Sequence, residues 1–127
     1  MKHPVSEVLQ TATTISKTTQ TLVGKEIAVG GYEYLTFFFA YTKGNETGLK
    51  IVPNVLYESG GTAYPYNVKT ETGGATTLTD TTLTITASKT SYMTFDVRGV
   101  AFMKFTQGGS NNDGTPTGTL AASYTLK

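Results

Sequence analysis

The chain has no cysteine and no tryptophan, and a single histidine, His3. Without cysteine there can be no disulfide staple, no thiolate zinc site and no thiol nucleophile. One histidine excludes a multi-histidine metal centre and argues against a Ser–His–Asp triad. Charge is scarce as well. Charged residues make up 15% of the 127, where about 25% is usual for a soluble domain. Ten Lys and Arg against nine Asp and Glu leave a net charge of +1, so there is no electrostatic footprint for nucleic acid. Long apolar runs are missing too. The longest, residues 37–41, is far short of the roughly 20 residues that a bilayer span requires, and no membrane partner is expected. The opening residues Met1-Lys2-His3-Pro4 lack the apolar core of an export signal, so export by that route is not expected.

Threonine is abundant instead: 26 residues, beside 8 Tyr, 6 Phe and 14 Gly. Threonine and the aromatics fit a pleated surface, and glycine supplies turns. From residue 13 onward the pattern has a period of two. Strands are read at 14–23, 25–29, 32–42, 47–57, 63–70, within 76–87, and at 92–98, 100–106 and 119–126. The strongest, 32–42, sets Leu35, Phe37, Phe39 and Tyr41 against Tyr34, Thr36, Phe38 and Ala40. Both sets are apolar, so this strand is central in a sandwich or has its second face covered by another subunit. Pro53 cannot donate to a ladder and marks an edge, a bulge or a break. Residues 59–62 read as a tight hairpin, 71–75 as a loop and 107–117 as a long polar loop.

Eight or so strands with no helix beyond a turn or two predict an all-β protein. By count a jelly-roll-like or an immunoglobulin-like sandwich fits equally well, though the usual antibody-domain core of Cys and Trp is missing. The expected fold is a single antiparallel β-sandwich, jelly-roll-like, with a short N-terminal arm. The expected organisation is an arm or helical turn over 1–12 and a sandwich domain over 13–127. In the arm, Val5, Val8 and Leu9 follow an i, i+3, i+4 spacing, which suits one amphipathic helical turn or an extended segment laid on a neighbour.

Candidate sites are few. Asn111-Asn112-Asp113-Gly114 resembles a fragment of a calcium loop, but one carboxylate cannot supply the six to eight oxygens a hard cation takes, and a polar turn explains it. The carboxylates are scattered, with no pair marked out for glycosidase chemistry. No diglycine follows a phosphate-cradling pattern, so all four are read as turn residues. No enzyme activity, cofactor or metal is therefore expected. Two surface features remain. Val5, Val8, Leu9 and Phe38 are candidate interface residues. Tyr57, Tyr64 and Tyr66 are a candidate aromatic platform for sugars, although tyrosines in sandwiches usually pack the ring and point the hydroxyl outward.

The segment 25–59, with Ile27-Ala28-Val29-Gly30-Gly31-Tyr32-Glu33-Tyr34-Leu35-Thr36 and then Phe39-Ala40-Tyr41-Thr42-Lys43-Gly44, resembles small β-sandwich virion proteins of tailed bacteriophages. Val97-Arg98-Gly99 through Phe105, and Gly118-Thr119-Leu120-Ala121-Ala122, are similar in style. The resemblance is one of texture and carries no catalytic signature. It implies a non-enzymatic structural protein of the head decoration (auxiliary capsid) type. Such a protein assembles into the virion in the host cytoplasm and has the major capsid protein or other virion subunits as partners. It also implies a homo-oligomer. The alternative is a carbohydrate-binding or adhesion module of a head fibre or tail accessory.

Overall fold

A computed structural model describes residues 2–110 and 114–127. The strands are β1 (Val5–Thr14), β2 (Thr21–Leu22), β3 (Ile27–Ala28), β4 (Tyr34–Thr42), β5 (Leu49–Leu56), β6 (Tyr64–Pro65), β7 (Asn67–Thr72), β8 (Ala75–Asp80), β9 (Leu83–Ile85), β10 (Lys89–Asp96), β11 (Phe102–Gly109) and β12 (Thr119–Leu126). There is no helix among the described residues.

One sheet has the order β1-β12-β4-β10. In the other, β11 pairs β2 and β3 on one side and β5 on the other, and β5 in turn pairs β6 and β9. The short strands share ladder positions, so each sheet has four positions, and every pairing is antiparallel. The chain passes between the sheets from β1 to β2, from β3 to β4, from β4 to β5, and at each step from β9 to β12. That order is a jelly roll; the period-two pattern predicts the strands but not their order.

Alternation builds the core. Leu35, Phe37, Phe39 and Tyr41 of β4 point inward beside Leu120, Ala122, Tyr124 and Leu126 of β12, all buried. Met103 and Phe105 of β11 meet them from the opposite sheet. Phe37 stacks on Phe105 with ring centroids 4.2 Å apart, and Phe95 of β10 meets Phe105 edge-on at 5.5 Å. Aromatic contacts of this kind add to the area each ring buries. Pro53 lies in the interior of β5, where pairing passes from β9 (residues 49–51) to β6 (residues 54–55). Its missing N–H falls in that gap, and its carbonyl accepts from the Tyr66 N–H at 3.0 Å. The reading of Pro53 as a break is thus realised on one side of the strand only.

The N-terminal segment is not separate from the sandwich. β1 pairs along β12 from Val5↔Leu126 to Thr14↔Thr119, across the boundary expected at residue 12. Leu9 sits in the core and Val5 packs against it. Alternation along this extended segment puts Val5 and Leu9 on the inner side and Val8 on the outer, so a strand meets the spacing that also suits a helical turn; the register shifts come after Val8. The expected strand 14–23 is replaced by the end of β1, a loop and the short β2. Gly108 and Gly109 end β11 and are buried, so that diglycine is not a turn. The loop expected over 71–75 is a two-residue hairpin turn. Gly73 and Gly74 have φ of 57° and 81° between the paired Thr72 and Ala75, a mirror-image turn that glycine adopts without strain.

The turn between β4 and β5 buries an acid. Glu46 is 1% exposed. Its carboxylate accepts from the Tyr41 hydroxyl, from the Gly44 N–H at 2.9 Å and from the Gly118 N–H at 2.9 Å. Beside it, the Asn45 side chain accepts from the Thr117 N–H at 3.0 Å and donates to the Thr115 carbonyl at 3.1 Å. The carboxylate therefore clamps the β4–β5 turn to the start of β12. A Cβ on Gly118 would overlap Glu46 Oε2. Gly118→Ala is accordingly expected to push the carboxylate out of its cradle and destabilise the fold by about 2–3 kcal/mol. A denaturant midpoint within error of the parent would rule out this clamp.

Candidate docking surface

The first sheet turns one face to the core and leaves the other open. Its outer residues form ladders across all four strands. One row runs Val8, Ser123, Phe38, Tyr92; the next holds Ala121, Ala40 and Thr90, with Gln10 alongside; a third runs Ser6, Thr125, Thr36, Thr94. None of these residues is charged. Phe38 and Tyr92 face each other across the β4–β10 ladder with ring centroids 5.9 Å apart, and they are 39% and 65% exposed. Val8 is 67% exposed on the β1 side. Between them is a shallow depression of about 500 Å³ floored by Ala40 and Ala121, with Gln10, Thr11, Thr90, Ser91 and Ser123 around it. Thr36 and Thr94 share a hydroxyl hydrogen bond of 3.0 Å at one end. Among the described residues, no second layer covers the outer face of β4.

Ion pairs mark the margins of this face. Asp96 and Arg98 close one end at 2.6 Å, with the Arg98 guanidinium over the Tyr34 ring. Hydrogen bonds from Arg98 hold the Asp96 carboxyl at about 2. On the β1 side, Glu7 accepts from the Tyr124 hydroxyl at 2.6 Å and from Lys25 at 3.2 Å, which lowers its pKa. Burial first, and Glu7 second, push the Tyr124 phenol up to about 12. Each of these charges already has its partner, and the centre of the face has none. Such a surface can be desolvated without stranding a charge, whereas burying an unpaired ion costs several kcal/mol.

The residues singled out from sequence fall in different places. Phe38 and Val8 share the outer row. Leu9 and Val5 point the other way, into or against the core. Sequence reasoning did not find Tyr92 or Ala121 as part of the site. Their neighbours on the face come from strands distant in sequence, and only alternation with Phe95 and Ala122 could have set them outward. Of the three tyrosines, Tyr64 and Tyr66 line a separate depression of about 640 Å³ with Lys69, Asp96 and Arg98, and Tyr57 does not. Tyr66 is committed to the fold. Its ring meets Phe95 edge-on at 5.0 Å, and its hydroxyl bonds both backbone groups of Asp96. The three rings do not form one stacked platform. In the expected polar loop 107–117, Gln107 is buried and its side-chain carbonyl accepts from the Ser16 N–H at 3.2 Å. The Asn111-Asn112-Asp113 run lies outside the described residues. No cluster of three or more His, Cys, Asp or Glu that could hold a metal occurs among the described residues.

No protein-family model and no curated protein sequence matches the chain. Solved structures do. The SPBc2 prophage-derived protein YomS aligns over 99% of this chain and 96% of its own, with a TM-score of 0.57 at 17% identity. A subunit of Bacillus endospore appendages, described as a family of disulfide-linked pili, aligns over 99% of this chain and 88% of its own, with a TM-score of 0.54 at 13% identity. At these identities the likeness is one of fold. Both alignments run over nearly the full length of this chain. Disulfide linkage is closed to this chain, which has no cysteine.

Proposed function

We propose that this chain is a non-enzymatic structural subunit of a bacteriophage particle. In this reading it decorates or stabilises an assembled capsid by protein–protein contacts, with the outer face of the β1-β12-β4-β10 sheet as its docking surface. The observation that carries the reading is that face: aromatic at its centre, free of charge and left open by the fold. Apolar patches of this kind are rare on monomers unless they are used. The fold shared with a prophage-derived protein supports the phage context. The partners are the major capsid protein or other virion subunits, including further copies of the chain, and the place of work is the virion.

Removing the aromatic anchors tests this. Phe38→Ala with Tyr92→Ala is expected to weaken co-sedimentation with emptied capsids at least about tenfold, because aromatic anchors at the centre of an interface carry most of its energy. Both side chains are exposed, so the melting temperature should hardly move. Unchanged capsid binding by the double variant would remove this face from the interface. Val8 is the residue of the N-terminal segment that can be probed the same way. Deleting the segment would take Leu9 out of the core and could not separate binding from folding.

The carbohydrate-binding alternative has one observation in its favour, the open depression shared by Tyr64 and Tyr66. Glycan-array binding that is lost on Tyr64→Ala would establish it, and an array without signal would retire it.

A further inference from the structure

β7 and β8 pair only with each other, through six register positions, and every residue from 67 to 80 is exposed. The hairpin leaves the sandwich at a closed base, where the Thr81 N–H donates to the Tyr66 carbonyl at 2.8 Å. A lone two-stranded hairpin is marginal in water and is normally stabilised by a surface to lie on. Its two faces differ. Residues directly opposite in the register share a face, so Val68, Thr70, Thr72, Ala75, Thr77 and Thr79 make one side. That side carries no charge. Lys69, Glu71 and Asp80 are all on the other, with Asn67, Thr76 and Leu78.

We infer that the uncharged face of this hairpin docks in the depression around Phe38 and Tyr92 on a second copy of the chain. The inference rests on the reading of that depression as a protein-docking surface and names its occupant. Three observations select the hairpin. The depression is charge-free, so its occupant must bring no charge that would be stripped of water unpaired; the hairpin has a charge-free side and keeps its ions on the side that would remain in solvent. On that charge-free side Val68 is 55% exposed and suits a depression walled by Phe38 and Tyr92, while the hairpin's other large exposed apolar residue, Leu78 at 59%, stands on the charged side. The dimensions agree as well. Six residues of strand extend about 20 Å at 3.3–3.4 Å each, and four strands about 4.8 Å apart present a sheet roughly 14–19 Å across. The hairpin departs from the sheet that does not carry the depression. Each copy therefore offers a donor and an acceptor at different places, a heterologous contact that propagates into a ring or an open array. One hairpin face buries an area at the small end of specific interfaces. The single contact is weak, and many copies held on a lattice add up through effective concentration.

The experiment is sedimentation velocity on the full chain over a concentration series, with two variants. One blocks the acceptor (Phe38→Lys, Tyr92→Lys), and the other blocks the donor (Val68→Lys, Thr77→Lys). All four positions are exposed, and thermal melts near that of the parent confirm folding. The parent should associate at high concentration. Each variant alone should associate at least about tenfold more weakly, a change of 1.4 kcal/mol or more. The two variants mixed should form a one-to-one dimer and nothing larger, because only one good donor and one good acceptor remain. A parent that stays monomeric, an acceptor variant that associates like the parent, or a mixture that stays monomeric would each overturn the inference. Capsid co-sedimentation separates this from the broader reading. If the acceptor variant loses capsid binding while the donor variant keeps it, the face docks on the capsid protein, and the hairpin is not its occupant.

Discussion

Glu46→Ala should lower the stability of the fold by about 3–5 kcal/mol, because several buried donors lose their acceptor at once. Three donors converge on that carboxylate: the Tyr41 hydroxyl and the Gly44 and Gly118 N–H groups. Truncation leaves them without an acceptor, and an unsatisfied buried donor costs about 1–3 kcal/mol. For a domain of this size the melting temperature should fall by roughly 10–20 °C. The same group sets an acid limit. Burial alone would raise its pKa, but the hydrogen bonds from Tyr41, Gly44 and Gly118 outweigh burial and hold it at about 2, against 4.5 in the unfolded chain. A depressed folded value means the stabilisation is complete above pH 4.5 and is lost as pH falls from there to about 2. About 3 kcal/mol is at stake, at 1.36 kcal/mol per unit. Urea midpoints at pH 7, 4 and 2.5 should fall steeply for the parent. Glu46→Gln should already be destabilised at pH 7 and should lose most of that pH dependence. A variant whose pH profile parallels the parent's would show that another group governs acid unfolding.

The second large effect is Phe37→Ala, expected to cost about 3–5 kcal/mol. Phe37 is fully buried and stacks on Phe105 from the facing sheet, so its loss opens a cavity at the contact that joins the two sheets. The adjacent Phe38 gives the contrast. It points to the open face, and Phe38→Ala should cost under about 1 kcal/mol of stability while weakening docking. Chemical denaturation of the two single variants reads the difference directly. Similar losses at both positions would contradict the placement of one ring inside and the other outside.

The neighbouring phenylalanines also mark what the sequence could reveal. Where one face is buried and the other half-open, alternation is unambiguous. β4 and β12 were legible to within two residues; strand number and spacing pointed to a sandwich but fitted jelly-roll-like and immunoglobulin-like orders equally, and the strand order decides between them. β1 was half legible, because the spacing of Val5, Val8 and Leu9 fits one helical turn as well as an extended segment, and only pairing with β12 decides for the strand. β7 and β8 were obscured for another reason. No face of this hairpin is buried, so threonine-rich residues 76–80 carry no inside-outside pattern on which to place the strand read within 76–87. Glu46 looked like an ordinary turn residue in Lys43-Gly44-Asn45-Glu46. Its role depends on Gly118, 72 positions away, and on Tyr41, whose inward direction was the one local sign. The docking face was half legible for the same reason. Phe38 is visible in its own strand, but its neighbours Tyr92, Ser123 and Val8 join it only through strand order and register.

The most direct measurement is the copy number bound at saturation when the purified chain is co-sedimented with emptied capsids from its own source and counted by quantitative mass spectrometry. The expected result is saturable binding at a fixed multiple of the capsid lattice sites, with the Phe38 and Tyr92 variant failing to saturate. Absence of binding, or a handful of copies per particle, would contradict a capsid-decorating role.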